Sequence, residues 1–326
     1  MFSHVVILLS LWQPVQKESK QSAGFDDLLA KGNSLLKQRH YEKAIATFSK
    51  ALELEPTSTR AIRGRGQAYA ASGKYLKSMD DFTEAIRLNP DDALSWSDRA
   101  TLKDLMGDFA MAVKDYDKSI LINSSNSGTY SRRGRTLGRI GKIERAIEDF
   151  TEAIHLKPQY VDAYVDRAYA YLSSGSIAAA KSDCESALKY DSKSVRAYTA
   201  RSKVSLTKKG WKEALNDLDR ALDIDPKATE ALVERARIRA CCPDPRLRNG
   251  KVALTDAKLA CELTSWPNGW FLDALAAAYA ELGQFKEAVQ YQEKAITDKR
   301  FYATDGPSAD RRLKLYRSEQ PFRLGP

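Results

Sequence analysis

Residues 163–175, AYVDRAYAYLSSG, decide how this chain is read. Tyr164, Ala168 and Tyr171 recur at helical spacing and mark the inward stripe of an amphipathic helix, yet Arg167 lies in the same stripe. A charge on a packing face needs either a ligand or a structural partner. Two further stretches, WSDRATLKDLMG at 96–107 and YSRRGRTLGRIG at 130–141, place Arg99 and Arg133 in the equivalent slot. The arginine therefore belongs to a repeat.

Outward from that slot, the sequence aligns with itself at a period of 34 residues from Phe25 to Tyr302. One small residue recurs at Gly32, Gly66, Ala100, Gly134, Ala168, Ser202 and Ala236. A second recurs at Ala44, Ser78, Ala112, Ala146, Ala180 and Ala214, and a third at Ala51, Ala85, Ser119, Ala153, Ala187 and Ala221. Between these last two sits an aromatic at Phe48, Phe82, Tyr116 and Phe150. Pro56, Pro90, Pro158 and Pro226, with Ser124 and Ser192 in the same place, close the units, because proline cannot continue a helix. Gly73, Gly107, Gly141 and Gly175 split the units into two helices joined by a short turn.

This order of small, aromatic, small and proline positions resembles the tetratricopeptide repeat, in particular bacterial proteins built of many such units. The resemblance implies an all-α fold: a right-handed superhelical solenoid of about eight tetratricopeptide helical hairpins plus a C-terminal capping helix. One hairpin cannot bury its own apolar face, whereas stacked hairpins cover one another. The units are 25–58, 59–92, 93–126, 127–160, 161–194, 195–228, 229–268 and 269–302. The seventh carries a longer inter-helix stretch, ACCPDPRLRNGKVA at 240–253, read as a longer loop or as a docking knob.

Outside the repeats, residues 1–24 read as an apolar leader, VVILLSLW at 5–12, followed by a polar linker. Export is expected if residues 1–12 form part of a signal peptide, and a cytoplasmic protein if they are a frayed leader or a misplaced start. The run is too short to span a bilayer, so a membrane enters only through such a signal or anchor. Residues 303–326 read as a basic capping helix and tail. Ser308 is expected to cap a short helix in which Ala309, Leu313 and Tyr316 share a face, with Arg311, Arg312, Lys314 and Arg317 pointing largely elsewhere.

Numbered within each unit, the arginine is always seventh: Arg65, Arg99, Arg133, Arg167, Arg201 and Arg235. The twenty-third position carries Asp81, Asp115, Asp149, Asp183, Asp217 and Asp256. In an antiparallel hairpin turning near position fifteen, these two positions lie at the same height, so an ion-pair ladder within the units is expected. The first unit has Lys31 with Thr47 and the last has Leu275 with Tyr291, so both members are lost together.

Composition narrows the function. The net charge is +9, but seven basic and three acidic residues in 299–326 contribute +4 of it, which makes a nucleic-acid-binding solenoid the lesser alternative. Cys184, Cys241, Cys242 and Cys261 form no spaced framework and read as free thiols in helices, and the three histidines lie near none of them. No metal, cofactor or small-molecule substrate is expected, and no catalytic motif is present.

The resemblance implies a groove lined by first-helix positions. Those positions here include Arg60, Arg63, Arg132, Arg135, Arg139, Tyr169, Leu172, Arg196, Lys203 and Arg237. Arg132, Arg135 and Arg139 share one helical face and suggest an acidic or flexible protein segment as partner, unless Asp98, Asp104, Asp162, Asp166, Glu230 and Glu234 neutralise the strip. The family's carboxylate clamp is not matched: Asn33 fits it, whereas Leu29, Gly64, Leu94 and Asp98 do not. The sequence thus reads as a non-catalytic interaction scaffold, or as a regulatory subunit or adaptor of an enzyme complex.

Overall fold

The computed structural model describes residues 23–264 and 268–325. Among these described residues every regular element is helical. The expected leader at 1–12 and nearly all of the linker lie outside them. By its contacts the chain divides into two compact units, one ending at Lys157 and the other beginning at Pro158.

In the first unit, helix α1 (23–37) pairs with α2 (Tyr41–Leu54), α3 (Thr59–Ala71) with α4 (Tyr75–Leu88), α5 (Ala93–Leu105) with α6 (Phe109–Ile122), and α7 (Ser127–Arg139) with α8 (Ile143–Leu156). Successive hairpins stack through α2 on α3, α4 on α5 and α6 on α7. The residue ending one repeat caps the next helix: Ser58, Asp92 and Asn126 accept hydrogen bonds from backbone amides in the first turns of α3, α5 and α7.

The hairpin turn has a repeated backbone solution. Gly73 has φ +79°, its amide bonds the carbonyl of Ala70 and the following Lys74 amide bonds that of Tyr69, the paired 5→2 and 6→1 bonds that end a helix in a left-handed residue. Gly107, Gly141, Gly175 and Gly283 share this conformation, and Arg39 and Lys209 are forced into it with side chains at φ 61° and 56°.

Helices of one hairpin approach closely because the small residue faces the aromatic sixteen positions on. A Cβ added to Gly66 would stand 2.8 Å from Phe82 Cε1, and one added to Gly134 would stand 2.8 Å from Phe150 Cε1. Phe82 and Phe150 are buried in the space those missing methyl groups leave.

In the second unit, α9 (Val161–Ser173) pairs with α10 (Ile177–Tyr190), α11 (Val195–Thr207) with α12 (Trp211–Ile224), α13 (Thr229–Cys241) with α14 (Gly250–Leu263), and α15 (Gly269–Glu281) with α16 (Phe285–Ile296). Here α13 packs on α15 as well as on α14. The long loop between α13 and α14 contains a short 3₁₀ turn, Pro245–Leu247. It is tied down rather than projecting: the Asn249 amide bonds the Arg239 carbonyl at 2.8 Å, and Arg248 reaches the Cys242 carbonyl and Glu281, each at 3.0 Å.

The C-terminal expectation is corrected. No short helix starts at Ser308; instead α17 (Lys299–Arg317) runs for 19 residues, so residue 303 lies inside it. Asp298 sets the start, because its carboxylate accepts from the Arg300 and Phe301 amides and also from the Gly269 amide at the head of α15. Pro307 within α17 costs about 3 kcal/mol. Burial of Phe301, Leu313 and Tyr316 outweighs it, at about 1.5–3 kcal/mol for a side chain of this size. Arg312 also turns inward and is only 4% exposed. Beyond α17 the tail lies back on the unit, with the Leu324 amide on the Cys241 carbonyl at 2.9 Å.

Candidate functional site

Six arginines meet six aspartates in one geometry. Arg65 donates Nε to Asp81 Oδ2 at 2.9 Å and Nη2 to Oδ1 at 2.8 Å, and Arg99 with Asp115, Arg133 with Asp149, Arg167 with Asp183, Arg201 with Asp217, and Arg235 with Asp256 repeat the fork. All six aspartates are buried. The hydrogen bonds to Asp81 hold the Arg65 guanidinium above its ordinary range, although burial opposes its charge.

In Arg99, Arg133 and Arg235 the remaining arm of the arginine reaches the preceding hairpin. Arg133 Nη1 bonds Asp117 at 2.6 Å, Arg235 Nη1 bonds Asp219 at 2.8 Å, and Arg99 Nη1 bonds Thr83 at 3.3 Å. Rings stack on the same groups, with Trp96 4.9 Å from the Arg99 guanidinium and Tyr198 5.5 Å from that of Arg201. Arg167 therefore has Asp183 as its mate and Tyr164 and Tyr171 as its neighbours. Where the pair is missing, Thr47 bonds its own helix at the Lys43 carbonyl, Leu275 is fully buried, and Tyr291 stacks on Tyr279 at 5.3 Å.

The basic strip on the first helices of the first unit is exposed but partly partnered within the chain. Arg139 pairs with Asp104, Arg132 donates to Ser97 Oγ at 3.1 Å, and Arg135 donates to Ser131 Oγ at 3.3 Å. Arg63 lies 3.7 Å from Asp92 and 3.6 Å from Asp98, while exposed Arg60 lies 3.5 Å from Asp26. Burial raises the Asp98 carboxyl, and Arg63 and Gln67 oppose that rise. Carboxylates of this chain thus stand beside Arg60, Arg63 and Arg139, whereas Arg132 and Arg135 donate to serine hydroxyls, and Arg60, Arg132, Arg135 and Arg139 all remain exposed.

The second unit carries the groove residues into one place. Arg196 is taken by Asp162 at 2.5 Å and Asp166 at 2.6 Å. Leu172 is half-buried and packs against the core cluster that includes Val165, Ala168, Ala180 and Cys184. Tyr169 and Lys203 instead meet, the ammonium 5.4 Å from the ring centroid, and both reach Glu230: Lys203 Nζ at 2.6 Å and the Tyr169 hydroxyl at 3.4 Å. Burial, reinforced by Glu230, pushes the Tyr169 hydroxyl well above its usual range and keeps it a neutral donor.

Next to this trio opens a cleft of about 400 Å3, walled by α11, α13, α15 and α17. Val233 and Phe301 form buried parts of its floor, and Trp270, packed edge-on against Phe301 at 5.6 Å, remains 37% exposed at its mouth. Lys203 and Arg237 line it together with Glu230, Glu234, Asp273 and Asp305. The residues from α15 and α17 escaped the sequence reading because the last repeat lacks the periodic arginine and α17 lies outside the period. The one available signal was Asp298, a capping residue directly before a helical run.

A tetratricopeptide repeat family model matches residues 29–93, 131–195 and 166–229, and a second tetratricopeptide repeat model matches residues 270–300. The chain belongs to the tetratricopeptide repeat family. No curated protein matches it in sequence. Solved structures share the fold at low identity. A chain of the APC/C hetero-tetramer Cut9–Hcn1 is 16% identical with a TM-score of 0.68, over 89% of this chain and 55% of that one. Yeast Tom70 is 18% identical with a TM-score of 0.62, over 90% and 64%. A tetratricopeptide repeat protein from Parabacteroides merdae is 15% identical with a TM-score of 0.60, over 79% and 98%. Among the described residues of this tetratricopeptide protein, no helix is long and apolar enough to cross a membrane.

Proposed function

We propose that this protein is a non-catalytic interaction scaffold that holds a segment of a partner protein in the cleft between α11, α13, α15 and α17. The observation that carries the reading is the cleft itself: about 400 Å3 of space with buried Val233 and Phe301 below and a partly exposed Trp270 at the mouth. A space of this size takes one or two side chains of an extended segment, and an exposed tryptophan over an apolar floor is the kind of anchor that dominates binding energy. Tyr169, Lys203 and Arg237 extend the surface along the first helices. A chain of the same fold is part of the Cut9–Hcn1 hetero-tetramer, which is consistent with a role within an assembly.

An acidic partner on the arginine strip is the second reading: Arg139, Arg63 and Arg196 already hold carboxylates of this chain, while Arg132 and Arg135 donate to serine hydroxyls and stay exposed. The test is selection of random twelve-residue displayed peptides on the full chain, followed by binding of the enriched sequences to wild type and Trp270→Ala. Enrichment with at least tenfold weaker binding to Trp270→Ala supports the reading. Equal binding to both proteins moves the site elsewhere.

A further inference from the structure

We infer that the cleft, read as a partner-binding site above, selects a segment bearing a lysine or arginine beside an apolar residue. Charge is unevenly distributed here. Four carboxylates from three helices line the space: Glu230 and Glu234 on α13, Asp273 on α15 and Asp305 on α17. The cations within reach are Lys203 and Arg237 at the lining, with Arg312 behind it. Three positive charges against four negative ones leave the cleft at −1 in a chain whose net charge is +9.

The inner and outer ends of the cleft differ. At the inner end Arg312 is 2.7 Å from Asp273 and 2.5 Å from Asp305, and Gln292 donates to Asp273 at 2.9 Å. Those groups are occupied by the fold. At the outer end Lys203 is drawn to Glu230 at 2.6 Å, leaving Glu234 with Arg237 at 3.9 Å and Lys203 at 4.0 Å and with no hydrogen bond. The Glu234 side chain is 18% exposed and accepts no hydrogen bond from the described residues of the protein, its oxygens keeping some access to solvent. An incoming ammonium or guanidinium supplies Glu234 with a donor and offsets the −1 of the cleft as a whole, although Lys203 and Arg237 already balance Glu230 and Glu234 at this end, whereas an incoming carboxylate adds a fifth like charge.

The apolar half of the cleft fits the same occupant. Lysine and arginine carry methylene stems that lie along apolar surface while the head stays polar, and Trp270 offers its ring at the mouth for stem or cation. The neighbouring apolar residue of the segment then covers Phe271 and Val233.

The test uses the peptides enriched on the full chain by display selection. The expected sequences carry Lys or Arg next to an aliphatic or aromatic residue. For the strongest, a fluorescein-labelled synthetic peptide and its Lys→Gln (or Arg→Gln) analogue are titrated by anisotropy against wild type and Glu234→Gln. Wild type is expected to prefer the basic peptide about tenfold, or about 1.4 kcal/mol, and Glu234→Gln to remove most of that preference with unchanged helicity. Enriched peptides that are acidic or uncharged, or a preference untouched by Glu234→Gln, overturn this inference. Trp270→Ala separates the two levels. Lost binding of acidic or uncharged peptides in that variant retains the cleft and rejects only its charge selectivity. A library that enriches nothing removes both.

Discussion

Arg133 joins three helices through one guanidinium, with Nε and Nη2 on Asp149 at 2.9 and 2.6 Å across its own hairpin and Nη1 on Asp117 at 2.6 Å in the hairpin before. Removing one partner strands the other charge in a buried place, at a cost of about 3–5 kcal/mol. Arg133→Glu is therefore expected to lose that much stability in urea unfolding followed by circular dichroism, and Arg133→Glu/Asp149→Arg to recover part of it. Additive losses in the double variant would show that the two groups do not act as a pair.

The contact of Gly66 with Phe82 is equally local. A methyl group at Gly66 has to displace the ring from 2.8 Å, so Gly66→Ala is expected to destabilise by about 1–3 kcal/mol. Phe82→Leu in the same chain is expected to return part of the loss by vacating the ring's space. The measurement is the urea midpoint of the single and double variants.

Lys209 occupies the left-handed position that Gly73, Gly107, Gly141, Gly175 and Gly283 occupy elsewhere. A side chain there costs about 1–2 kcal/mol, and glycine gives back part of that gain as chain entropy. Lys209→Gly is thus expected to raise stability by about 0.5–1 kcal/mol, and Arg39→Gly to do likewise. An unchanged or lower thermal midpoint for both would contradict the strain.

Asp298 joins the starts of two helices, accepting from Gly269 at 3.0 Å and from Arg300 at 2.9 Å. The backbone amides, that of Gly269 foremost, hold its carboxyl below the usual carboxylate range. A lowered folded value means that its contribution is complete above the ordinary carboxylate pKa of about 4 and is lost as pH falls through the lower folded value. Asp298→Asn keeps an acceptor but cannot titrate, so the stability difference between wild type and variant is expected to shrink below about pH 4. A difference constant from pH 6 to pH 2 would exclude the role.

Cys184, Cys241, Cys242 and Cys261 are all buried, and burial pushes the thiols of Cys184 and Cys241 up to about 12. The thiolate is the reactive form, so the native protein at pH 8 is expected to react slowly with a thiol reagent such as dithionitrobenzoate. All four are expected to react on denaturation. Rapid stoichiometric labelling of any one in the native state would show that its helix opens readily.

Much of the fold is legible in the chain because each hairpin is a local object. Gly66 and Phe82, like Arg65 and Asp81, are sixteen residues apart around a turn that one left-handed residue defines, so spacing alone sets both pairs level. The groove was less legible, for a physical reason. Whether Arg139 is free depends on Asp104, 35 residues earlier on another hairpin, and both charges look alike in sequence whether they meet or not.

By itself the sequence determined the helical hairpins, their period and the residues that face one another inside each, since these follow from helix pitch and a recurring turn. Only the tertiary structure decided where charge is cancelled and where space is left. Arg312 finds Asp273 from 39 residues away, α17 begins at Lys299 because Asp298 bonds two helix starts at once, and Trp270 stays exposed beside Glu234. Those outcomes depend on side-chain reach between elements that do not repeat, and no period in the chain encodes them.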